Sequence, residues 1–361
     1  PALVAALRAH LPDNAAAHLH FGPTSQDVLD NAWLLCLRPV IALLRERLTS
    51  LGDRLAMRAD AERATPVLGH TRYQQAVPTT LGLRFAGWLA PVCRHRARLD
   101  AMDERLFRLL WGGAAGNLSA LGAPALDLGR LLCQILEFHE SPMPWHTQRD
   151  GFFELAAWAA GVTGTLGKIA TDMLLSGQNE VAEMMEGAGG GSSTMPNKSN
   201  PVRSEAILTV ARSQAGHLAT MHQALIHAQE RDGAAWAMEW TALPALLSGL
   251  SAALENAVAL IDGLEIDREA MRRNIETGGR LALAEPVSFE LAATMPRPEA
   301  QELVKQVAKT VRKQRGDLVD LVEKRAGIAI DREALMKAAL NVDVCGQMID
   351  AVCAEWQAGR T

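Results

Sequence analysis

The sequence predicts an all-α fold in which a long helical bundle is followed by a small helical domain, and three observations support this. Helical periodicity runs through most of the 361 residues, and alternating strand patterns are nearly absent. Several apolar-periodic stretches reach about 30 residues, which as helices run on the order of 45 Å, a length that suits a bundle. After Gly278 and Gly279 the pattern changes to shorter amphipathic segments richer in Arg and Lys.

The chain opens at Pro1 without a methionine and already in a helical pattern, PALVAALRAHL, so an N-terminal portion is expected to be missing. Long helices are predicted over residues 27–63, 81–111, 151–186, 202–229 and 242–264. The third shows the clearest seam. Leu155, Ala159, Val162, Leu166, Ile169 and Met173 recur at spacings of four and three, the pattern of one helix packed along others. Pro39 and Pro91 fall inside two of the stretches and are expected to kink or split them, because each removes a backbone donor. Hydrophobic helices of this length leave apolar surface that a second copy covers most readily, so a homo-oligomer is expected.

Composition narrows the function. A net charge of -5 argues against a nucleic-acid or anionic-membrane partner, which calls for a basic excess. The five cysteines, Cys36, Cys93, Cys133, Cys345 and Cys353, are odd in number and never form a C-x-x-C pair. They suggest neither a disulfide framework nor a zinc site, and a reducing cytoplasm is the natural reading. The uncharged run 109–126 is broken by GGAAG and GAP, so no membrane span is expected there.

The stretch GAGGGSSTMPNKSNPVRSE, residues 187–205, carries the strongest chemical signal. Gly187, Gly189, Gly190 and Gly191 break a helix, and Asn200 before Pro201 marks the start of the next. The loop thus delivers Ser192, Ser193, Thr194, Lys198 and Asn200 to a helix N-terminus, where free N–H groups, the dipole and the Lys198 charge make an anion site. Composition alone also permits a plain linker. The Gly-Lys-Ser/Thr order of a phosphate loop is absent.

GGGSSTMPNKSNP closely resembles the signature loop of the fumarase/aspartase superfamily, GSSxMPxKxNP. HFGPTSQDVLDNA (20–32) and TPVLGHTRYQQAVPTTLG (65–82) fall where that superfamily has its other shared motifs. GGAAGNLSALG and PWHTQRD further resemble the branch of bacterial 3-carboxy-cis,cis-muconate cycloisomerases, and the similarity runs from about His18 to Ser288. The resemblance implies a nearly all-α protein: residues 1–26 a remnant of an N-terminal helical domain, 27–278 the central long-helix bundle, and 279–361 a small C-terminal helical domain. It also implies a homotetramer whose active sites each combine motifs from three subunits.

The implied reaction is intramolecular. One carboxylate of a di- or tricarboxylate diene adds across a double bond, and the neighbouring carbon takes a proton. Addition β to another carboxylate creates a carbanion with aci-carboxylate character, so donors and positive charge must surround that group. By the resemblance, Ser192 exchanges the proton and Lys198 and Asn200 hold the substrate carboxylate, with Ser193 beside them. Thr24 and Ser25 supply hydroxyl donors, Thr71 and Gln74 bind substrate, and Gln148 and Arg149 are substrate or loop-anchoring contacts. His20 lies in the first motif and also reads as a packing histidine. Thr24 or Ser25 also reads as a helix N-cap, though less readily than as a substrate contact, and His146 reads as a structural histidine.

Two departures from the superfamily pattern matter. Its second motif usually reads Gly-Arg-Thr-His, whereas this chain has Gly69-His70-Thr71-Arg72. Arg72 is no general acid at neutral pH, but lactone chemistry releases a carboxylate, which needs none. Arg72 is expected to position the attacking carboxylate and His70 to keep any imidazole function, the two sharing a side if the segment is extended. Asn197 and Ser199 stand where relatives often carry His and Arg, which leaves a sulfonate or another carboxylate pattern open at C3 of the substrate. A fumarate-releasing lyase and a non-catalytic homologue are the alternatives. No metal cluster or nucleotide motif is visible, and the implied mechanism uses no cofactor.

Overall fold

The computed structural model describes residues 2–187, 189–191 and 193–359. Two short helices, α1 (Ala2–Arg8) and α2 (Asp13–Ala16), precede the long α3 (Ser25–Ala61). A hairpin, β1 (Pro66–Thr71) and β2 (Gln74–Thr80), leads into α4 (Leu81–Asp100), α5 (Asp103–Leu106), α6 (Ala125–Leu136) and α7 (Asp150–Ser176). Three short strands follow, β3 (Met184–Glu186), β4 (Gly190–Gly191) and β5 (Ser199–Asn200), and then α8 (Val202–Gln223), α9 (Gly233–Asp262) and β6 (Leu264–Ile266). The C-terminal helices are α10 (Arg268–Glu276), α11 (Ala284–Leu291), α12 (Arg297–Gln314), α13 (Leu318–Ala326), α14 (Arg332–Leu340) and α15 (Val342–Ala358). The fold is all-α in class, as the periodicity predicts.

The chain forms two compact units that are discontinuous in sequence. One is Pro1–Leu48, His95–Gly164 and Thr209–Glu255; the other is Thr49–Arg94, Thr165–Leu208 and Asn256–Thr361. Helices α3, α4, α7, α8 and α9 each give residues to both units. The C-terminal segment nevertheless has an apolar core of its own, built from Leu283, Val287, Val304, Val307, Leu318 and Val322.

The predicted seam is buried along its whole length: Leu155, Ala159, Val162, Leu166, Ile169 and Met173 all lie in the core. Pro39 and Pro91 split neither helix, and α3 and α4 run through them. An interior proline costs about 3 kcal/mol, which burial of a side chain or two on either side offsets. Leu37 and Ile41 flank the first and Leu89 and Val92 the second, all buried. By length and composition α9 is apolar enough to cross a membrane. Its Leu243, Leu246, Leu250 and Leu254 are instead buried in the fold.

Several helix ends differ from expectation. The helix expected over 81–111 ends at Asp100, and past the short α5 Leu109 N donates to His139 O at 3.0 Å and His139 N to Phe107 O at 2.8 Å, so 107–110 is a non-helical segment bridged to residue 139. The stretch expected to stay helical to 186 stops at Ser176, and Met184–Glu186 pairs with Leu264–Ile266 as a two-stranded ribbon. The Pro66–Thr80 hairpin escapes the alternation test because Pro66, Gly69 and Pro78 interrupt it and its register shifts between Leu68 and His70.

Candidate functional site

In the first unit the site grows from the start of α3. Thr24 directly precedes the helix, and its carbonyl accepts from Val28 N at 3.4 Å. Asp27 reaches back to accept from Thr24 N at 2.7 Å, one half of a capping box. The Thr24 hydroxyl accepts from Arg231 Nη1. Arg231 Nη2 lies 3.5 Å from Ser25 Oγ. A guanidinium thus sits over two adjacent hydroxyls. This arrangement suits an incoming carboxylate, since Arg matches carboxylate geometry and hydroxyls add further donors. Arg231 stands in the loop between α8 and α9, where Asp232 holds the backbone by accepting from Ala234 N at 2.9 Å and from Ala228 N and Ala235 N at 3.2 Å.

One turn further along α3, Asp30 joins a buried ion cluster. Arg149 donates through Nη1 to Asp30 Oδ2 at 2.7 Å, through Nε to Glu239 Oε1 at 2.8 Å and through Nη2 to Glu239 Oε2 at 2.5 Å. Trp236 Nε1 donates to Asp30 Oδ1 at 2.9 Å, and the rings of Trp145 and Phe152 lie 5.0 and 4.8 Å from the guanidinium carbon. Burial opposes the charge on Arg149, but its bonds to Glu239 and the charge of Asp30 outweigh that and raise its pKa. Burial pushes the Glu239 carboxyl above its ordinary range, with Arg149 pulling it back. Burial, reinforced by the Arg149 charge, lowers the His227 imidazole and favours its neutral form. The Arg149 guanidinium is therefore engaged by protein carboxylates and anchors the start of α3, while its neighbour Gln148 is exposed. Gln148 lines an open cleft of about 360 Å³ with Arg105, Ser141 and Trp145, which Thr24 and Ser25 do not line. His20 is exposed with a left-handed backbone, φ 59°.

The second unit holds the remaining sequence-predicted residues. His70, Thr71, Arg72 and Gln74 are all exposed on the β1–β2 hairpin. Thr71 pairs opposite Gln74 and His70 opposite Gln75, and Arg72 (φ 49°) with Tyr73 (φ 62°) makes the two-residue reversal. Both turn residues are left-handed, as a type I′ hairpin requires. The expectation that His70 and Arg72 share one side of an extended strand is therefore corrected: Arg72 is at the turn.

In the signature loop, Ser192 lies outside the described residues. Ser193 and Lys198 are exposed, and Asn200 pairs opposite Gly190 across the β4–β5 ladder. Helix α8 begins at Val202, two residues after the expected Asn200 cap. Its N-terminus is also not open to an outside anion. Glu186 accepts from Arg203 N at 3.1 Å and Ser204 N at 2.8 Å, so a carboxylate of the chain itself takes the dipole's positive end.

Arg231, Asp27, Asp30 and Glu239 carry no clear functional signal in the sequence. Each sits in a helix or polar loop where a charge reads as solvated surface, and only the TSQD turn hinted at a cap.

Residues 3–216 match a protein family described as lyase. The chain is 40% identical over 339 residues to the 3-carboxy-cis,cis-muconate cycloisomerase of Pseudomonas aeruginosa, spanning 93% of this chain and 72% of that protein. Trans-aconitate decarboxylase 1 of Mycosarcoma maydis is 33% identical over 359 residues, 98% of this chain and 72% of that one. The crystal structure of 3-carboxy-cis,cis-muconate lactonizing enzyme from Pseudomonas putida superposes with a TM-score of 0.92 at 33% identity, covering 99% of this chain and 82% of that chain.

Proposed function

The chain belongs to this lyase family, within the fumarase/aspartase superfamily, and from that membership we infer that it cycloisomerises 3-carboxy-cis,cis-muconate to 4-carboxymuconolactone. The observation that carries the reading is the Arg231 guanidinium held over the Thr24 and Ser25 hydroxyls. It supplies positive charge and donors where a substrate carboxylate needs them, on the first of the family motifs. Ring closure pushes an electron pair toward a second carboxylate, and fixed charge there stabilises the transition state more than the ground state. Lys198 and Asn200 are assigned to that group and Ser192 to the proton. Thr71, Gln74 and Gln148 are assigned to substrate, and Arg149 to holding the start of α3.

The same proposal includes a cytoplasmic homotetramer with sites shared among subunits, and the three-segment domain division. Leu29, Leu35, Leu43 and Met57, exposed along α3, supply apolar surface for such an assembly. Light scattering is expected to give four times the chain mass.

Incubation with 3-carboxy-cis,cis-muconate is expected to remove its diene absorbance without releasing fumarate or carbon dioxide. Turnover of trans-aconitate with carbon dioxide release, and none of the muconate, overturns the reading. Arg72→Ala and His70→Ala are each expected to lower kcat/KM about 10- to 100-fold, the equivalent of one hydrogen bond to a charged group. Negligible losses from both remove the hairpin from the mechanism.

A further inference from the structure

Asp27 and His146 are among the most deeply buried polar residues of the first unit, 1% and 4% exposed, and the reaction as described uses neither. Among the described residues the Asp27 carboxylate has four donors. Oδ2 accepts from Thr24 N at 2.7 Å and Gly113 N at 2.9 Å, and Oδ1 from Gly112 N at 3.1 Å and His146 Nε2 at 2.8 Å. Gly112 permits this approach, since a Cβ there would stand 2.6 Å from His146 Cε1. Neighbouring bonds tie the same pieces together: Gln26 Nε2 donates to His146 O at 2.9 Å, and Asn31 exchanges bonds with Leu110, Nδ2 to O at 2.7 Å and N to Oδ1 at 3.0 Å.

We propose that Asp27 and His146 form a positioning pair that fixes the Thr24–Ser25 hydroxyls for the substrate carboxylate. The proposal rests on the reading above that these hydroxyls bind substrate. Three backbone amides and an imidazole N–H converge on one carboxylate, so the peptide that carries Thr24 is held from both sides. Withdrawing the imidazole leaves a buried carboxylate one donor short. The turn then loosens, and the hydroxyls lose their fixed relation to Arg231.

The test compares the full chain with His146→Leu, which removes the donor, and His146→Gln, whose amide places an N–H near the position of Nε2. His146→Leu is expected to raise KM about tenfold, one hydrogen bond's worth, while kcat changes less, because the seat holds the substrate alike before and during reaction. His146→Gln is expected to recover most of that loss. In a Thr24→Val, Ser25→Ala background His146→Leu is expected to add less than about twofold, the non-additivity of residues acting through one another. An undiminished effect in that background overturns the proposal. Amide exchange at Thr24, Gly112 and Gly113, expected to accelerate about tenfold or more in His146→Leu, reads the positioning without any substrate. Unchanged exchange sinks the pair even if the chain turns over the muconate; accelerated exchange in a chain that does not turn it over rejects the functional reading alone. Should His146→Leu not fold, His146→Asn, whose shorter side chain withdraws the donor from Asp27, replaces it in both measurements.

Discussion

Replacing Arg149 by methionine is expected to destabilise the fold by about 3–5 kcal/mol, the usual result of breaking a buried pair by removing one partner. Among the described residues the guanidinium is the cation that faces both Asp30 and Glu239, and all three side chains are nearly inaccessible. Methionine fills similar space and still packs against Trp145 and Phe152, so the loss reads the charge and not a cavity. The pH dependence gives the sign of the effect. Burial raises the Glu239 pKa above its unfolded value, and losing Arg149 removes the influence that pulls it back. A group raised on folding is accommodated below its unfolded pKa, where it is neutral in both states, and its stability is lost as pH rises through the folded value. The penalty of Arg149→Met is therefore smallest in mild acid and grows toward neutrality. Urea unfolding at several pH values measures it. Combining Arg149→Met with Asp30→Asn and Glu239→Gln is expected to restore part of the loss, because no unpaired charge is then left buried. A flat pH dependence, or a triple variant worse than the single, contradicts the account of this cluster.

Ser192→Ala is expected to lower kcat by on the order of 10²- to 10⁴-fold, the range for losing a positioned proton donor. KM should change little, because the carboxylate contacts assigned to Lys198, Asn200, Thr24 and Ser25 remain. Lys198→Ala is expected to differ in kind. Charge that steadies the aci-carboxylate acts chiefly in the transition state, while its hold on the ground-state carboxylate enters KM, so both parameters worsen. Steady-state kinetics on the purified variants separates the two patterns. A Ser192→Ala protein that keeps its full kcat removes this serine from the proton transfer.

The legible parts of the molecule were those written in local periodicity or in a contiguous motif. The seam from Leu155 to Met173 follows from spacing alone, because every member repeats on one helical face. The signature loop stands out through its glycines and its Asn200-Pro201 step. What could not be read is long-range pairing. Arg231 meets Thr24 across 207 residues, His146 meets Asp27 across 119, and Arg149 meets Glu239 across 90. Nothing local marks these charges as buried or partnered. The α8 N-terminus illustrates the same limit. Its free amides suggest an anion site, but whether the anion is substrate or the chain's own Glu186 depends on a strand that the sequence reads as helix. The hairpin shows the limit for turns, since Arg72 and Tyr73 take left-handed positions that the sequence gives no glycine or asparagine to announce.

Reaction of 3-carboxy-cis,cis-muconate in D₂O, followed by proton NMR, tests most directly whether this chain stabilises charge on one carboxylate while another closes the ring. A single lactone carrying one deuterium on the methylene carbon next to the free carboxylate is expected, with no fumarate signal. Unreacted diene, or fumarate or a decarboxylated product arising from another acid in its place, would contradict it.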